Sequence, residues 1–221
     1  MATLHDRITA VHIRIDTATR AAQRPLGSVR LLCVSKTQPA EALRAAHAEG
    51  ECDFGENYVQ EALDKIASLA DIRRHLTWHF IGPLQSNKSR LVAEAFDWVH
   101  SVDSLKLARR LSDQRPADLP PLQVCLQVNI SAESSKHGLT PDEVPALAQA
   151  VAALPRLRLR GLMSIPAPGD TGAHARLARL LQPGMDTLSM GMSEDLEAAI
   201  AAGAPWVRVG TAVFGPRTPE V

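Results

Sequence analysis

The sequence predicts an α/β protein of a single domain, folded as a (β/α)8 (TIM) barrel. Three observations support this fold class: eight short β-prone runs, alanine- and leucine-rich runs at helical spacing between them, and a length of 221 residues, 45% of them hydrophobic. Strands that alternate with helices need crossover connections, which make the strands parallel. Such barrels begin at roughly 200 residues, so this one is predicted to be compact. A doubly wound open sheet is the alternative.

An additional helix is predicted before the first strand. Apolar residues recur there at helical intervals, at Leu4, Ile8, Val11, Ile15, Ala18 and Ala22. We therefore predict an amphipathic helix over about residues 4–22. No low-complexity tract or long linker follows it, so residues 1–221 are expected to form one barrel domain.

The eight predicted strands follow in order along the chain. They are LLCVS (31–35), DFGEN (53–57), WHFIG (78–82), WVHSV (98–102), LQVCLQVNI (122–130), LRGLMSI (159–165), TLSMGM (187–192) and WVRVGTA (206–212). Each run is short and is followed by a polar or glycine-containing segment, which is typical of strands that alternate with helices.

Five helices are predicted between these strands from the spacing of alanine, leucine and charged residues. They are PAEALRAAHAEG (39–50), YVQEALDKIASLA (58–70), SLKLARRLSDQ (104–114), PDEVPALAQAVAAL (141–154) and SEDLEAAIAAG (193–203). The region PAPGDTGAHARLARLLQPGMD (166–186) is short for a helix with its two loops, so the pattern assigns no helix bounds there.

Composition excludes several classes of function. Lysine and arginine number 24, as do aspartate and glutamate, so the chain has no general electrostatic footprint for nucleic acid or for an acidic membrane surface. Cys33, Cys52 and Cys125 lie far apart and lack the spacing of a disulfide framework or zinc site, which favours a reducing compartment and predicts no metal site. No signal-peptide core and no run of ~18 uncharged apolar residues occurs, so a soluble cytoplasmic protein is expected.

Lys36 is the first candidate for chemistry, because it follows directly on the apolar run of the first predicted strand. Function in a parallel barrel gathers where the strands run out into the following loops. An amine near the apolar interior loses hydration, which can lower a lysine pKa by about 3–5 units when burial is complete and makes it a nucleophile. A surface lysine that reaches solvent is the alternative.

Two loops are candidates for anion binding, since barrels frequently bind phosphate after strands seven and eight. Ser193 precedes an apolar run as a helix N-cap would, and Gly191 lets backbone amides approach a ligand, although Ser193 as a simple cap is the alternative. Gly210 and Thr211 offer amides and a hydroxyl at the end of the eighth strand.

Three further polar residues lie in or beside predicted strands. Arg208 alternates with valines and should point into the barrel, where a structural ion pair is the alternative to a ligand contact. Asn57 follows the second strand, where it could hydrogen-bond a ligand, and Glu56 beside it could pair with a cation. His79 lies inside the third strand, so a hydrogen-bonded core histidine is the favoured interpretation.

Taken together, the motifs resemble those of the pyridoxal phosphate homeostasis proteins. The motifs are VSK (34–36), FGENYVQEA (54–62), WHFIGPLQSNK (78–88), SSKHG (134–138), GLMSI (161–165), LSMGMSEDLEAAIAAG (188–203) and VRVGTAVFG (207–215). The resemblance is specific and extends from about Leu31 to Arg217. It implies a barrel similar to the N-terminal domain of alanine racemase.

The resemblance also implies a cofactor, pyridoxal 5′-phosphate (PLP), bound as an aldimine to Lys36. It assigns the cofactor-binding residues by motif: Ser193, Gly210 and Thr211 in the phosphate loops, Arg208 facing the pyridine nitrogen and Asn57 near the ring oxygen. One departure is that the segment Pro168 to Asp186 is shorter than the family usually shows. This departure touches none of these residues.

The function implied by the resemblance is that of a carrier that helps regulate intracellular vitamin B6 and amino-acid pools. Arginine stays protonated, so it can hydrogen-bond the pyridine nitrogen without giving it a proton, and a neutral ring is a weak electron sink. We therefore expect no robust turnover and no catalytic residues. We also expect a monomer, with PLP-dependent apo-enzymes as possible recipients of the cofactor. The alternative is an amino-acid racemase, which needs a second acid or base, and the only tyrosine is Tyr58.

Overall fold

Eight parallel strands close into a barrel in chain order, in a computed structural model that describes residues 2–133 and 137–216. The strands are β1 (Arg30–Val34), β2 (Asp53–Glu56), β3 (Thr77–Phe80), β4 (Trp98–Val102), β5 (Leu122–Gln127), β6 (Leu157–Met163), β7 (Thr187–Ser189) and β8 (Trp206–Val209). The predicted barrel is confirmed, and the open sheet is wrong because β8 pairs with β1. Residues 134–136 of the SSKHG motif, and Arg217 at the end of the resemblance, lie outside the described residues.

The strands end earlier than their apolar patterns suggested. The eighth predicted run continues to residue 212, yet β8 ends at Val209 and Thr211 already begins a helix. The fifth predicted run continues to residue 130, yet β5 ends at Gln127. The reason is that ladder pairing ends where each strand leaves the barrel, and the side chains beyond that point line loops instead of the sheet.

Helices surround the barrel. They are α1 (Leu4–Ala21), α2 (Ala40–Ala48), α3 (Val59–Ser68), α4 (Ser89–Ala95), α5 (Leu105–Gln114), α6 (Val144–Ala152), α7 (Ala173–Ala178), α8 (Leu196–Ala201) and α9 (Thr211–Phe214). The N-terminal helix begins with a capping box between Thr3 and Asp6, which satisfies amides of the first turn. Among the helices in these two ranges, none has both the length and the apolar character needed to cross a membrane.

Three helices were not predicted, namely α4, α7 and α9. Each has at most seven residues, which is too short for the apolar spacing of a helix to repeat twice. The short segment between β6 and β7 therefore does contain a helix, α7, and the βα alternation continues through it.

The core has two separate layers, because alternate residues of each strand face opposite sides. One large apolar cluster lies between the strands and the helices and includes Val207 and Val209 of β8. Two small clusters fill the inside of the barrel: Leu32, Ile81 and Trp206 with Val34, and Trp98 with Cys125 and Met163. Buried polar side chains of β2, β3, β4, β7 and β8 also occur in the barrel wall.

Candidate functional site

A cavity of about 750 Å³ opens at the carboxyl ends of the strands. Its walls come from loops after β1, β2, β3, β6, β7 and β8. The six residues that the family motifs assign to cofactor binding all line it: Lys36, Asn57, Ser193, Arg208, Gly210 and Thr211. The chain thus brings together an amine, a guanidinium, an amide and two hydroxyls in one space large enough for a small cofactor.

The turn that carries Lys36 is held on both sides. Lys36 lies two residues beyond the end of β1, and Thr37 after it adopts a left-handed conformation with φ of 63°. The Ser35 carbonyl accepts a 2.7 Å hydrogen bond from Lys65 Nζ. The Thr37 amide donates a 2.5 Å hydrogen bond to Glu61 Oε1. These contacts restrict the backbone from which the Lys36 side chain extends.

Lys65 and two glutamates form a buried ion cluster behind this turn. Lys65 Nζ lies 2.8 Å from Glu56 Oε1 and 2.5 Å from Glu61 Oε1, and Ser35 Oγ donates a 2.6 Å hydrogen bond to Glu56 Oε1. Glu56 is fully buried, and burial raises its pKa although Lys65 acts in the opposite direction. The predicted cation partner of Glu56 is therefore Lys65, and the cluster is structural support for the Lys36 turn.

Asn57 enters the cavity from the end of β2. Its Oδ1 is buried and has no hydrogen-bond partner within the described chain, so it is available to a ligand. The segment after β3 approaches the Asn57 backbone very closely. A Cβ atom added at Gly82 would lie only 2.3 Å from the Asn57 carbonyl oxygen. Glycine at position 82 is what permits this close approach.

Arg208 points into the barrel, as its alternation with valines predicted. Its Nη1 donates to the carbonyl oxygen and the Oγ of Ser189, and its Nη2 donates a 2.9 Å hydrogen bond to the Ser164 carbonyl. Burial lowers its pKa to about 10, so it remains protonated at neutral pH. The ion-pair alternative is wrong for the described residues, where carbonyls and a hydroxyl surround the guanidinium. Two of its five N–H donors have no hydrogen-bond acceptor in that part of the chain.

The loop after β7 corrects one sequence expectation. Helix α8 begins at Leu196 with Asp195 at its N-cap, so Ser193 is not the cap and lies in the preceding loop. Asp195 holds this loop, because its Oδ1 accepts a 2.6 Å hydrogen bond from the Met192 amide and its Oδ2 lies 2.9 Å from His174 Nε2. Burial opposes ionisation, but these hydrogen bonds lower the pKa of Asp195 and keep it a carboxylate.

The loop after β8 also lines the cavity, through Gly210 and Thr211. Gly210 is the N-cap of α9, and Thr211 is its first residue. A Cβ at position 210 would lie 3.1 Å from the Val34 carbonyl, so glycine keeps the ends of β8 and β1 close together. The first amides of a helix lack partners within the helix, and those of α9 are directed toward its N-terminal side.

One further polar side chain of the cavity was not identified as a site residue from sequence. His174 on α7 lines the cavity, is buried, and has an Nδ1 without a partner among the described residues. His174 carried no signal because its helix was not predicted. Ser164 Oγ, just beyond β6, is likewise buried and unpartnered within the described ranges, but Ser164 is not among the residues that line the cavity. Tyr58 is 56% exposed and does not line the cavity.

The chain is similar to known proteins that agree with one another about its family. The chain matches the family described as alanine racemase, N-terminal domain, over residues 7–218. It is 61% identical to the pyridoxal phosphate homeostasis protein of Pseudomonas aeruginosa, covering 98% of this chain and 97% of that protein. It is 53% identical to the protein of the same name from Escherichia coli K12, with 98% and 95% covered.

Solved structures show the same barrel. PipY of Synechococcus elongatus, solved with PLP bound, is 37% identical with a TM-score of 0.82, covering 96% of this chain and all of that one. Alanine racemase from Enterococcus faecalis is 18% identical with a TM-score of 0.67. This chain covers 58% of that racemase, and the likeness at this identity concerns the fold alone.

Proposed function

This chain belongs to the family of pyridoxal phosphate homeostasis proteins, and from that premise we propose that it carries PLP covalently on Lys36. The observation that supports the proposal is that Lys36 lies in one cavity with the five other residues assigned by the family motifs. We propose further that the protein acts in the cytoplasm as a monomer, and that it helps regulate PLP and amino-acid pools by passing PLP to apo-enzymes.

The residues of the cavity fit the cofactor chemically. The buried, unpartnered Asn57 Oδ1 and His174 Nδ1, and the two uncommitted N–H donors of Arg208, would be costly in an apolar site. A polar aromatic ligand with a charged tail offers partners for them. When bound, PLP supplies an aldehyde that accepts amines and a ring that delocalises electrons.

Lys36 forms the covalent bond in this proposal. Its neutral amine attacks the aldehyde carbon, a C=N bond replaces the C=O bond, and the oxygen leaves as water. The hydrogen bonds to the Ser35 carbonyl and from the Thr37 amide keep the lysine at the cavity mouth. Fixing the backbone on both sides reduces the conformational freedom that the attacking amine would otherwise have to lose.

Ser193, Gly210 and Thr211 bind the phosphate in this proposal. A phosphate dianion gains charge-assisted hydrogen bonds from amides and hydroxyls, and two loops can surround it from different sides. Asp195 also lines the cavity, and its oxygens are engaged by the Met192 amide at 2.6 Å and His174 Nε2 at 2.9 Å. Pyridoxal without its phosphate should accordingly bind far more weakly than PLP.

Arg208 and Asn57 orient the ring. The guanidinium stays protonated and can donate to the pyridine nitrogen, which keeps that nitrogen unprotonated and limits carbanion chemistry. Asn57 would contact the ring oxygen. The racemase alternative is less favoured, since Tyr58 is 56% exposed and outside the cavity walls, and since the curated relatives are named as homeostasis proteins.

A spectrum of the purified protein before and after borohydride tests this proposal. Borohydride should bleach the visible band and fix PLP on Lys36, which peptide mass mapping will locate. Lys36→Ala should lose the band, whereas Lys106→Ala, at an exposed position on α5, should retain it. A label on another lysine with Lys36 unmodified would overturn the assignment, and absence of any PLP band would overturn the function.

A further inference from the structure

A continuous chain of hydrogen bonds crosses the inside of the barrel, from the cavity to the opposite end. It starts at Arg208 and ends at Asp53, the first residue of β2, and we call Asp53, His79, His100 and Ser189 the interior relay. The successive distances are 2.8 Å (Arg208 Nη1 to Ser189 Oγ), 2.6 Å (Ser189 Oγ to His100 Nδ1), 3.0 Å (His100 Nε2 to His79 Nδ1) and 3.1 Å (His79 Nε2 to Asp53 Oδ1).

The relay occupies space that barrels usually fill with branched apolar side chains. His79, His100 and Ser189 are fully buried, and Asp53 is 7% exposed. Burying polar groups is costly unless every one of them has a partner, so the relay is favourable only as a complete unit. Apolar side chains would fill the same volume without this cost, so the relay is expected to have a function besides packing.

The direction of every hydrogen bond in the relay follows from its two ends, Arg208 and Asp53. A guanidinium can only donate and a carboxylate can only accept, so between these ends Ser189 Oγ accepts from Arg208 and gives its own hydrogen to His100 Nδ1. His100 then carries its proton on Nε2 and donates to His79 Nδ1. His79 in turn carries its proton on Nε2 and donates to the Asp53 carboxylate.

The charges around the relay agree with this assignment. Asp53 Oδ2 accepts a 2.8 Å hydrogen bond from Arg30 Nη2, so a guanidinium pairs with the carboxylate at the far end. Burial lowers the pKa of both histidines, most strongly for His100, so both are neutral. The rings of Trp98 and Trp206 pack on His79 at 5.5 and 5.1 Å between centroids and contribute no competing acceptor.

We infer that Ser189, His100, His79 and Asp53 are positioning residues for Arg208, which orient its guanidinium toward the cavity and couple it to the charge of Asp53. Because hydrogen bonds in a chain polarise one another, the carboxylate at the base of the barrel influences the donor strength of Arg208. The effect on PLP rests on the proposed function. The fixed direction of the relay does not, because it is a property of the protein without cofactor.

Nitrogen-15 NMR of labelled histidines in the cofactor-free protein tests the relay directly. We expect His79 and His100 each to show a pyrrole-type Nε2 and a pyridine-type Nδ1, in a single tautomer at neutral pH. His79→Gln and His100→Gln assign the signals. An Nδ1–H tautomer, a tautomer mixture or a charged ring at either position would overturn the inferred direction.

Ser189→Ala, with Ser101→Ala as its matched control, tests the coupling to Arg208. The Ser189 backbone carbonyl still accepts from Arg208 in this variant, so what is lost is the Ser189 hydroxyl that joins Arg208 Nη1 to His100. His100 should lose its fixed tautomer, and PLP should bind roughly tenfold more weakly with a shifted visible band. Ser101 Oγ is also buried, on the same strand as His100, but has no partner in the described ranges. Ser101→Ala should therefore change neither the His100 tautomer nor the binding of PLP.

A second pair of variants probes the far end. Asp53→Asn should weaken PLP binding from the other side of the barrel, whereas Asp186→Asn, which removes the partner of Arg160 near the same end, should not. If Ser189→Ala and Asp53→Asn both leave affinity and spectrum unchanged while the wild type binds PLP, the positioning role is wrong. If the wild type fails to bind PLP, the proposed function fails instead, and the tautomers still report on the relay.

Discussion

At the scale of single residues, the three cysteines differ in how far reagents can reach them. Cys33 and Cys125 are fully buried; burial raises the pKa of Cys125 to about 12 and, together with Glu51, that of Cys33 well above its usual value. Cys52 is partly exposed, and its pKa is also raised by burial. Since the thiolate is the reactive form, a thiol reagent at about pH 8 should slowly modify Cys52 alone in the folded protein.

The measurement is the number of thiols modified before and after unfolding in guanidinium. All three should react in the unfolded chain. The Cys52→Ser variant should show no reaction while folded. Rapid reaction of Cys33 or Cys125 in the native protein would contradict the burial of these thiols.

The two relay histidines predict a loss of stability in acid. Their folded pKa values lie below the unfolded value of 6.5, so the unfolded chain binds more protons once the pH falls below about 6.5. The contribution of each histidine to the free energy of unfolding is therefore fully present above this pH. It decreases below this pH, by up to about 1.4 kcal/mol per pH unit for each histidine.

Urea unfolding of the wild type and of His100→Gln, between about pH 7.5 and 5, measures this contribution. The variant should be less stable at neutral pH but should show a shallower decline in acid. His5 and His12 have raised pKa values and the opposite pH dependence, but they are present in both proteins and cancel in the comparison. Parallel curves for the two proteins would show that His100 does not resist protonation in the fold.

At the scale of secondary-structure elements, the buried cluster on α3 supports the turn after β1. Lys65→Met would leave Glu56 buried without a cation, and removal of one partner from such a pair costs about 3–5 kcal/mol of unfolding free energy. The deficit should shrink as the pH falls, because protonation of Glu56 removes the unpaired charge. Denaturant unfolding at two pH values measures both effects. Lys106→Met, at an exposed position on α5, should stay within about 0.5 kcal/mol of the wild type.

Contact between β6 and β7 depends on one glycine. A Cβ at Gly161 would lie 1.7 Å from the Thr187 carbonyl oxygen, so Gly161→Ala must separate the two strands. We expect a loss of about 3 kcal/mol or more in thermal or denaturant unfolding. Gly55→Ala is the matched control, because its added methyl meets the flexible end of Ile81 at 3.0 Å. Equal losses for the two variants would contradict this explanation.

At the scale of the whole molecule, the arrangement favours binding of PLP over turnover. A lysine on one side of the cofactor can take up a proton slowly, but racemisation needs an acid on the other side, and a placed acid or base contributes about 10²–10⁴-fold. Tyr58 is exposed and outside the cavity walls. We therefore expect no appreciable racemisation of alanine, together with measurable transfer of PLP to an apo-enzyme.

Chiral chromatography of amino-acid products and reactivation of a PLP-dependent apo-enzyme measure the two expectations. Racemisation at ordinary enzymic rates that is abolished by Lys36→Ala would make the protein a catalyst. Tyr58→Phe and His174→Gln would then identify the second group, since Tyr58 is the tyrosine of the chain and His174 is an imidazole in the cavity wall.

Much of the molecule could be predicted from the sequence, because local patterns carry the information. Eight β-prone runs at the right spacing favoured the barrel over an open sheet, because parallel strands joined by helices have few ways to pack, and the pairing of β8 with β1 decided between the two. Lys36 and Asn57 were placed at strand ends because each lies where a β-prone run stops. The alternation of side chains directed Arg208 into the barrel, and all three residues line one cavity. The motifs and their order identified the family. Helix α7 escaped detection, because its six residues contain less than two turns of periodicity, whereas α8 has the same length but lies within a longer helical pattern over 193–203.

The remaining features were decided by tertiary structure alone. Nothing within WVHSV or TLSMGM indicates that His100 and Ser189, 89 residues apart in sequence, approach to 2.6 Å. The same holds for His79 with Asp53 and for Lys65 with the turn of Lys36. Alternation along a strand determines which side chains point into the barrel, but closure and register determine which of them meet. The sequence by itself therefore favoured the barrel and determined the group of residues at its mouth, whereas the interior relay exists only because the closed barrel brings four strands around one axis.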